Sequence, residues 1–81
     1  MSGAPSLDAI SLPDLIRAQV AHHLARLERA EDLHALERAQ ERAEGFVEGV
    51  EAARALTPAT IEALFIAVDV AASERRQGLR P

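Results

Sequence analysis

The stretch TPATIEALFIAVDVAASERRQ, residues 57–77, decides the fold of this 81-residue chain. Thr57 is a good helix N-cap and Pro58 a favourable first helical residue, so a helix is predicted to begin there. Between Ile61 and Ser73, the only polar residues are Glu62, Asp69 and Ser73, which form a narrow polar edge. The remaining positions make two apolar faces, one with Ile61, Leu64, Phe65, Val68 and Ala72, the other with Ala63, Ile66, Ala67 and Val70. A helix this apolar should be buried on two sides.

The segment before it predicts a much longer helix. No Gly or Pro occurs between Asp14 and Glu44, and strong helix formers dominate there. We therefore predict an all-α fold, a helical hairpin with a long helix over about residues 12–55 and a second helix over about 58–77. The hairpin forms a single domain, residues 11–78, between a flexible N-terminal arm, residues 1–10, and a tail, residues 79–81. A break or bend near residues 28–34 stays open.

A single partner helix cannot cover both faces of the second helix. We therefore predict that it packs on the long helix within one chain and on a symmetry mate through its other face, giving a homodimer with a four-helix core. A heptad-spaced row of the long helix, typical of a coiled coil, faces this core. The predicted core and dimer residues are Phe46, Val50, Ile61, Leu64, Phe65, Ile66, Val68 and Val70. Because Gly costs about 1 kcal/mol relative to Ala inside a helix, Gly45 and Gly49 predict a close helix crossing.

Two further surfaces of the long helix are candidates for binding a partner. A stripe in its first half is rotated by about 100° from the row through Phe46 and has the spacing of helix-in-groove anchors. These anchors are Ile16, Val20, Leu24 and Leu27. Opposite the row lies an acidic strip formed by Glu37, Glu41, Glu44, Glu48 and Glu51. The strip is either a solvated face or a docking strip for a basic partner, which would aid orientation and association rate more than affinity.

Few residues suggest chemistry. Glu31 and His34 have the Glu-x-x-His spacing that di-iron carboxylate bundles use, but arginines flank them, so they are weak metal candidates beside the simpler interpretation of a surface histidine. His23 is a candidate pH-sensitive group at an interface. The chain has no Cys, no Gly-rich phosphate loop and no arrangement that activates a nucleophile. We expect no enzyme activity and no cofactor.

The composition argues against nucleic acid and membranes as partners of this chain. A net charge of −4, no Trp or Tyr and only two Phe disfavour nucleic acid. The longest apolar run, residues 63–68, is far shorter than the roughly 20 residues that cross a bilayer, so no membrane association is expected. A chain without Cys has no disulfide framework of the kind secreted small domains use. We expect a cytoplasmic protein whose partners are a second copy and a larger protein.

The expected function is that of a small non-enzymatic adaptor, antiactivator or inhibitor that masks a surface of a larger bacterial protein through helix-in-groove contacts. In general build the chain resembles the small helical-hairpin regulators, antiactivators and export chaperones that bacteria, their phages and other mobile elements encode. This is a likeness of architecture. Two alternatives stay open: a structural homo-oligomerisation module, and a helical-bundle metal protein of the di-iron type using Glu31 and His34.

Overall fold

A computed structural model describes residues 7–80, and over that range the chain is all-helical. A short 3-10 helix, Leu7–Ala9, precedes three α-helices: α1, Asp14–Glu28; α2, Leu33–Ala52; and α3, Pro58–Gly78. Each α-helix packs against the other two, which makes a three-helix bundle. Residues 1–6 of the expected arm and residue 81 of the expected tail lie outside the described residues.

The single long helix predicted for residues 12–55 is wrong, and with it the two-helix hairpin. Helix α1 ends at Glu28 and α2 begins at Leu33, so the chain breaks within the region that was left open. Asp32 has an extended backbone, and its carboxylate accepts the Ala35 N–H at 2.8 Å. This N-cap satisfies a donor that the first turn of a helix leaves without an intrahelical partner. The break lets α1 fold back onto α2 and α3.

All three helices contribute side chains to the core. The six largest side chains that are 2% exposed or less are Val20 and Leu27 of α1, Leu36 and Val47 of α2, and Leu64 and Val68 of α3. No polar or charged side chain is buried among residues 9–80. The rotation between the α1 stripe and the row through Phe46 is thereby explained, because the two segments face each other across a loop rather than extending in line.

Two arginines fasten the connecting segments to the helices. The Arg17 guanidinium donates to the carbonyl oxygens of Leu7 at 2.6 Å and Ile10 at 2.7 Å, and both of these residues pack against the core. Residues 7–10, which the sequence assigned to the N-terminal arm, are therefore held against the bundle. At the other end of the bundle, Arg75 Nε donates to the Ala30 carbonyl oxygen at 2.8 Å and so joins α3 to the α1–α2 linker.

Helix α2 ends in a left-handed turn. Within residues 7–80, Arg54 is the one non-glycine residue with a positive φ, 56°. Its N–H donates to the Glu51 carbonyl oxygen at 3.0 Å, and the Ala55 N–H donates to the Val50 carbonyl oxygen at 3.4 Å. This pair of bonds is the Schellman pattern, in which Gly usually occupies the left-handed position. The turn brings the start of α3 against the end of α2.

Helix α3 begins at the residues that the sequence marks as its start. Thr57 is the N-cap, its hydroxyl oxygen accepts the Thr60 N–H at 3.2 Å, and Pro58 occupies the first turn. Proline is tolerated there because a first-turn N–H has no intrahelical acceptor. The start of α3, next to the end of α2, is therefore fixed by local interactions.

The close helix crossing predicted at Gly45 and Gly49 is absent from the part of the chain that the structure describes. Both glycines are exposed on α2, and a Cβ atom placed on either would meet nothing within 4 Å. Neither has a positive φ. They lie on the face of α2 that points away from the core, where no other helix of this chain approaches them.

We expect Gly45→Ala and Gly49→Ala each to stabilise the protein by about 0.5–1 kcal/mol, because Ala has the better helix propensity and has room at both sites. Urea unfolding of the two single variants and the double variant measures this, and the two gains should add. A loss of stability in either variant would show that the glycine makes a close contact after all.

The core assignment is tested by one substitution at two leucines of opposite exposure. Leu64→Ala, at a side chain with no exposed surface, should cost about 2–5 kcal/mol, enough to unfold a domain of this size. Leu15→Ala, at a side chain that is 83% exposed, is the matched control and should change stability by less than about 0.5 kcal/mol. Thermal unfolding followed by circular dichroism compares them, and equal losses would contradict the packing.

Candidate partner-binding groove

One apolar face of α3 remains open beside the end of α2 and forms a groove. Ile66 is 51% exposed in it, while Phe65 is half-buried and Ile61 buried. The groove has a volume of about 410 Å³. Its lining residues are Glu51, Pro58, Ile61, Glu62, Phe65, Ile66 and Asp69. We call this surface the α3 groove.

The α3 groove continues around the turn that links α2 to α3. An adjoining hollow of about 400 Å³ shares Glu51, Pro58 and Ile61 with it. The hollow extends to Ala52, Arg54 and Leu56. The open surface is therefore long and shallow, and it follows the first half of α3, a shape suited to an extended or helical segment more than to a small molecule.

Carboxylates surround the apolar floor of the α3 groove. Glu51 comes from the last turn of α2, and Glu62 and Asp69 come from α3, seven residues apart on one side of Ile66. Seven residues of helix correspond to roughly 10 Å at 1.5 Å per residue. Arg54, in the adjoining hollow, is the one basic residue that lines either part. The groove thus combines an apolar floor with an acidic rim.

The acidic strip of α2 runs toward this rim. Glu37, Glu41, Glu48 and Glu51 are exposed, and Glu51 reaches the groove itself. Glu44 is half-buried and accepts the Gln40 side-chain N–H at 3.2 Å, while the Gln40 carbonyl oxygen accepts from Arg76 at 3.2 Å. The strip therefore lies on the α3 side of α2, and Glu44 is linked to α3 through Gln40.

The predicted partner anchors lie inside the bundle. Val20 is 2% exposed and Leu27 fully buried, and Ile16 and Leu24 are half-buried against the same core. The break after α1 turns this stripe inward, where α2 and α3 occupy the positions expected for another protein. In this fold the stripe is not a free binding surface.

The predicted core and dimer residues separate into three groups. Ile61, Leu64 and Val68 are buried, and a second group, Phe46, Val50 and Phe65, packs against the core while remaining partly exposed. Val70 is half-buried and Ile66 exposed. Of the second apolar face of α3, Ile66 is therefore the large residue left open. The sequence alone identified Glu62 and Asp69 as a polar edge of α3. It did not show that Pro58 and Glu51 also line the α3 groove, because the α2–α3 turn brings them there.

The weak metal candidates do not lie in a ligand cluster. Glu31 is exposed in the α1–α2 linker and His34 is exposed on the first turn of α2. Across residues 7–80, no group of three or more His, Cys, Asp or Glu side chains is placed to hold a metal ion. The hollow beside His34 is lined by three arginines of α1 and α2, with Asp32 as its one carboxylate.

The surroundings of His23 on α1 favour its neutral form. Its Nδ1 atom is buried without a hydrogen-bond partner, and its ring centroid lies 5.2 Å from that of Phe46. Burial lowers the pKa of His23 below 6.5, and the positive charges of His22, Arg26 and Arg42 lower it further. A protonated imidazole at this position would face an apolar ring and nearby cations.

We expect His23 to make the folded state lose stability on acidification. Because its folded pKa is below its unfolded value of 6.5, the unfolded chain binds more protons, and stability falls as the pH drops through 6.5 toward the folded pKa. Urea unfolding at about pH 7.5 and about pH 5.5 measures the loss. His23→Leu should reduce it, whereas His34→Gln, at an exposed histidine on α2, should leave it in place. An equal loss in wild type and His23→Leu would contradict this.

No helix among α1, α2 and α3 has both the length and the hydropathy needed to cross a bilayer. Comparisons of the chain with protein-family models, with curated proteins and with solved structures found no match.

Proposed function

We propose that this chain is a non-catalytic protein-binding module that holds a basic amphipathic helix of a partner protein in the α3 groove. The observation that carries the proposal is Ile66, 51% exposed over an apolar floor and flanked by Glu62 and Asp69. The role is the one expected from the sequence, an adaptor or inhibitor that masks a partner's surface. The proposed binding surface lies on α3 and not on α1. The sequence predicts that this chain inserts a helix into a partner's groove, whereas here the partner inserts a helix into the groove of this chain.

The apolar floor supplies affinity. Covering the exposed half of Ile66 removes apolar surface from water, which contributes on the order of 1 kcal/mol for this side chain alone. Phe65 and Pro58 extend the same floor. A partner helix with aliphatic residues at i, i+3, i+4 and i+7 presents a stripe of matching shape.

The acidic rim selects the charge of the partner. Lysine or arginine residues spaced seven apart on a partner helix would meet Glu62 and Asp69 at the same roughly 10 Å spacing. Exposed pairs of this kind contribute little affinity, but they orient the partner and raise the association rate. Glu51 and the acidic strip of α2 extend the negative field beyond the groove.

A second copy of this chain fits the α3 groove less well. If two α3 helices pair in parallel about Ile66, Glu62 meets the partner's Glu62. If they pair antiparallel, Glu62 lies beside the partner's Asp69. Either arrangement brings carboxylates together at an apolar interface without a cation between them, and such like-charge contacts oppose association. The acidic rim thus argues against the four-helix dimer and for a basic partner.

The test uses two synthetic amphipathic helices with the same leucine face, one with lysine on its polar face and one with glutamate. Titration into isotope-labelled protein should shift the amide signals of residues 58–69 with the lysine peptide alone. Ile66→Asp should weaken this binding by about tenfold or more, the effect of losing a central apolar anchor. Leu33→Asp is the matched control, because Leu33 is 52% exposed but lies on the first turn of α2.

Three outcomes would contradict the proposal. The glutamate peptide would bind as tightly as the lysine peptide, Ile66→Asp would bind as wild type does, or the wild-type chain would be a dimer that Ile66→Asp converts to a monomer. The last outcome, seen by sedimentation, would assign the α3 groove to self-association. Glu62→Gln/Asp69→Asn should also reduce the salt dependence of lysine-peptide binding, since it removes the charges that are screened.

A further inference from the structure

A second surface, on the side of α2 that faces α1, collects positive charge. His34, Arg38 and Arg42 lie one helical turn apart in a row on α2, and Arg26 faces them from the last turn of α1. The four side chains line a hollow of about 290 Å³, and the three from α2 also line an adjoining hollow of about 350 Å³. We call this surface the basic cleft.

The acids in the basic cleft do not balance its arginines. Asp32 and Glu41 are the acidic residues that line it, and the Asp32 carboxylate already accepts the Ala35 N–H as the N-cap of α2. Like charges four residues apart on a helix repel each other, and Arg38 and Arg42 have this spacing. A chain with a net charge of −4 thus keeps a local concentration of positive charge, which a bound anion would relieve.

One further feature favours an anion at this place. Burial is the largest cause of the lowered pKa of His23, and the charges of His22, Arg26 and Arg42 lower it further, so an arginine of α1 and an arginine of α2 both act on the same imidazole. The two arginines, from different helices, therefore act on the same region of space.

We propose that the basic cleft binds a phosphate group, held by Arg38 and Arg42 on α2 and by Arg26 on α1. Guanidinium groups bind phosphate oxygens in pairs of parallel hydrogen bonds, and a phosphate ester carries up to two negative charges at neutral pH. Several arginines converging on one place are the usual means of recognising a phosphorylated group.

The ligand is recognised by its phosphate rather than by a nucleobase. The chain has no Trp or Tyr, and its two Phe are committed elsewhere: Phe46 contacts His23 at the core, and Phe65 lines the α3 groove. No Phe, Tyr or Trp lines the basic cleft, so a base would find none of the large aromatic rings that nucleic-acid-binding proteins use for stacking. A free phosphate compound and a phosphorylated protein side chain present the same chemistry. The proposal does not depend on the α3 groove, which lies on the other side of α2.

The experiment titrates isotope-labelled protein with pyrophosphate, and separately with a phosphoserine peptide and its unphosphorylated form, at constant ionic strength. We expect saturable shifts confined to the amides near residue 26 and over residues 33–42, with pyrophosphate, with the phosphopeptide or with both, and none with the unphosphorylated peptide. The probe that binds more tightly identifies the source of the phosphate. Saturation by neither probe would overturn the proposal.

The variants separate a specific site from a general charge effect. Arg38→Gln/Arg42→Gln should weaken binding by about tenfold or more, since it removes two charge-assisted contacts. Arg29→Gln/Arg80→Gln removes the same net charge from exposed arginines outside the cleft and should bind as wild type does. Equal weakening in both double variants would overturn the assignment.

A second readout lies beside the cleft. A phosphate bound there offsets the charges of Arg26 and Arg42, so the pKa of His23 should rise when pyrophosphate is bound, as followed by its imidazole carbon-bound proton signals. The groups to be monitored with it are His22 and Arg26 on α1 and Arg42 on α2. No rise in wild type at saturating pyrophosphate would place the anion elsewhere.

Discussion

The reversal of the chain at residues 29–32 is the constraint on which the rest of the structure depends. Leu27 and Leu36, on either side of it, are both fully buried, so the turn and the core require each other. The Asp32 cap starts α2, and the bond from Arg75 to the Ala30 carbonyl oxygen fixes the turn against α3. With this turn, a chain of 81 residues covers its own α1 stripe and needs no second protein to do so.

The basic and acidic residues of α2 lie on different sides of the helix. One side of α2 faces α1 and carries Arg38 and Arg42, while the other side runs beside α3 and carries the acidic strip that ends at Glu51. The same helix therefore separates a positive surface from a negative one, across a thickness of one helix. A modest net charge conceals this separation, since the two fields nearly cancel in the sum but not in space.

Much of the fold could be predicted from the residues, and the part that could not has a physical cause. The composition predicts the helical class, and Thr57 and Pro58 predict the start of α3. The spacing of Leu64 and Val68 predicts that both are buried in the core. The break between α1 and α2 contains neither Gly nor Pro, and its residues, apart from Asp32, are compatible with a helix. Two features of the sequence are consistent with a break here: Asp32 can cap a helix, and the apolar stripe of α1 is rotated from that of α2. They indicate a turn only if α1 is allowed to fold back onto α2.

The candidate surfaces were less predictable, because exposure is a property of the whole bundle. Ile66 and Leu64 are equally apolar in the sequence, yet one lies open and the other has no exposed surface. Gly45 and Gly49 have the spacing of a close crossing, but a Cβ atom placed on either would meet nothing within 4 Å. Such distinctions depend on the direction in which α1 returns, which local sequence does not specify.

The contribution of all three helices to the core has a consequence for biosynthesis. Because Val68 and Leu64 come from α3, the apolar stripes of α1 and α2 have no complete covering until residues 58–78 have been synthesised. A nascent chain that ends before α3 exposes Val20, Leu27 and Leu36 to solvent or to chaperones. The packing therefore predicts that the core closes only after the third helix has been synthesised.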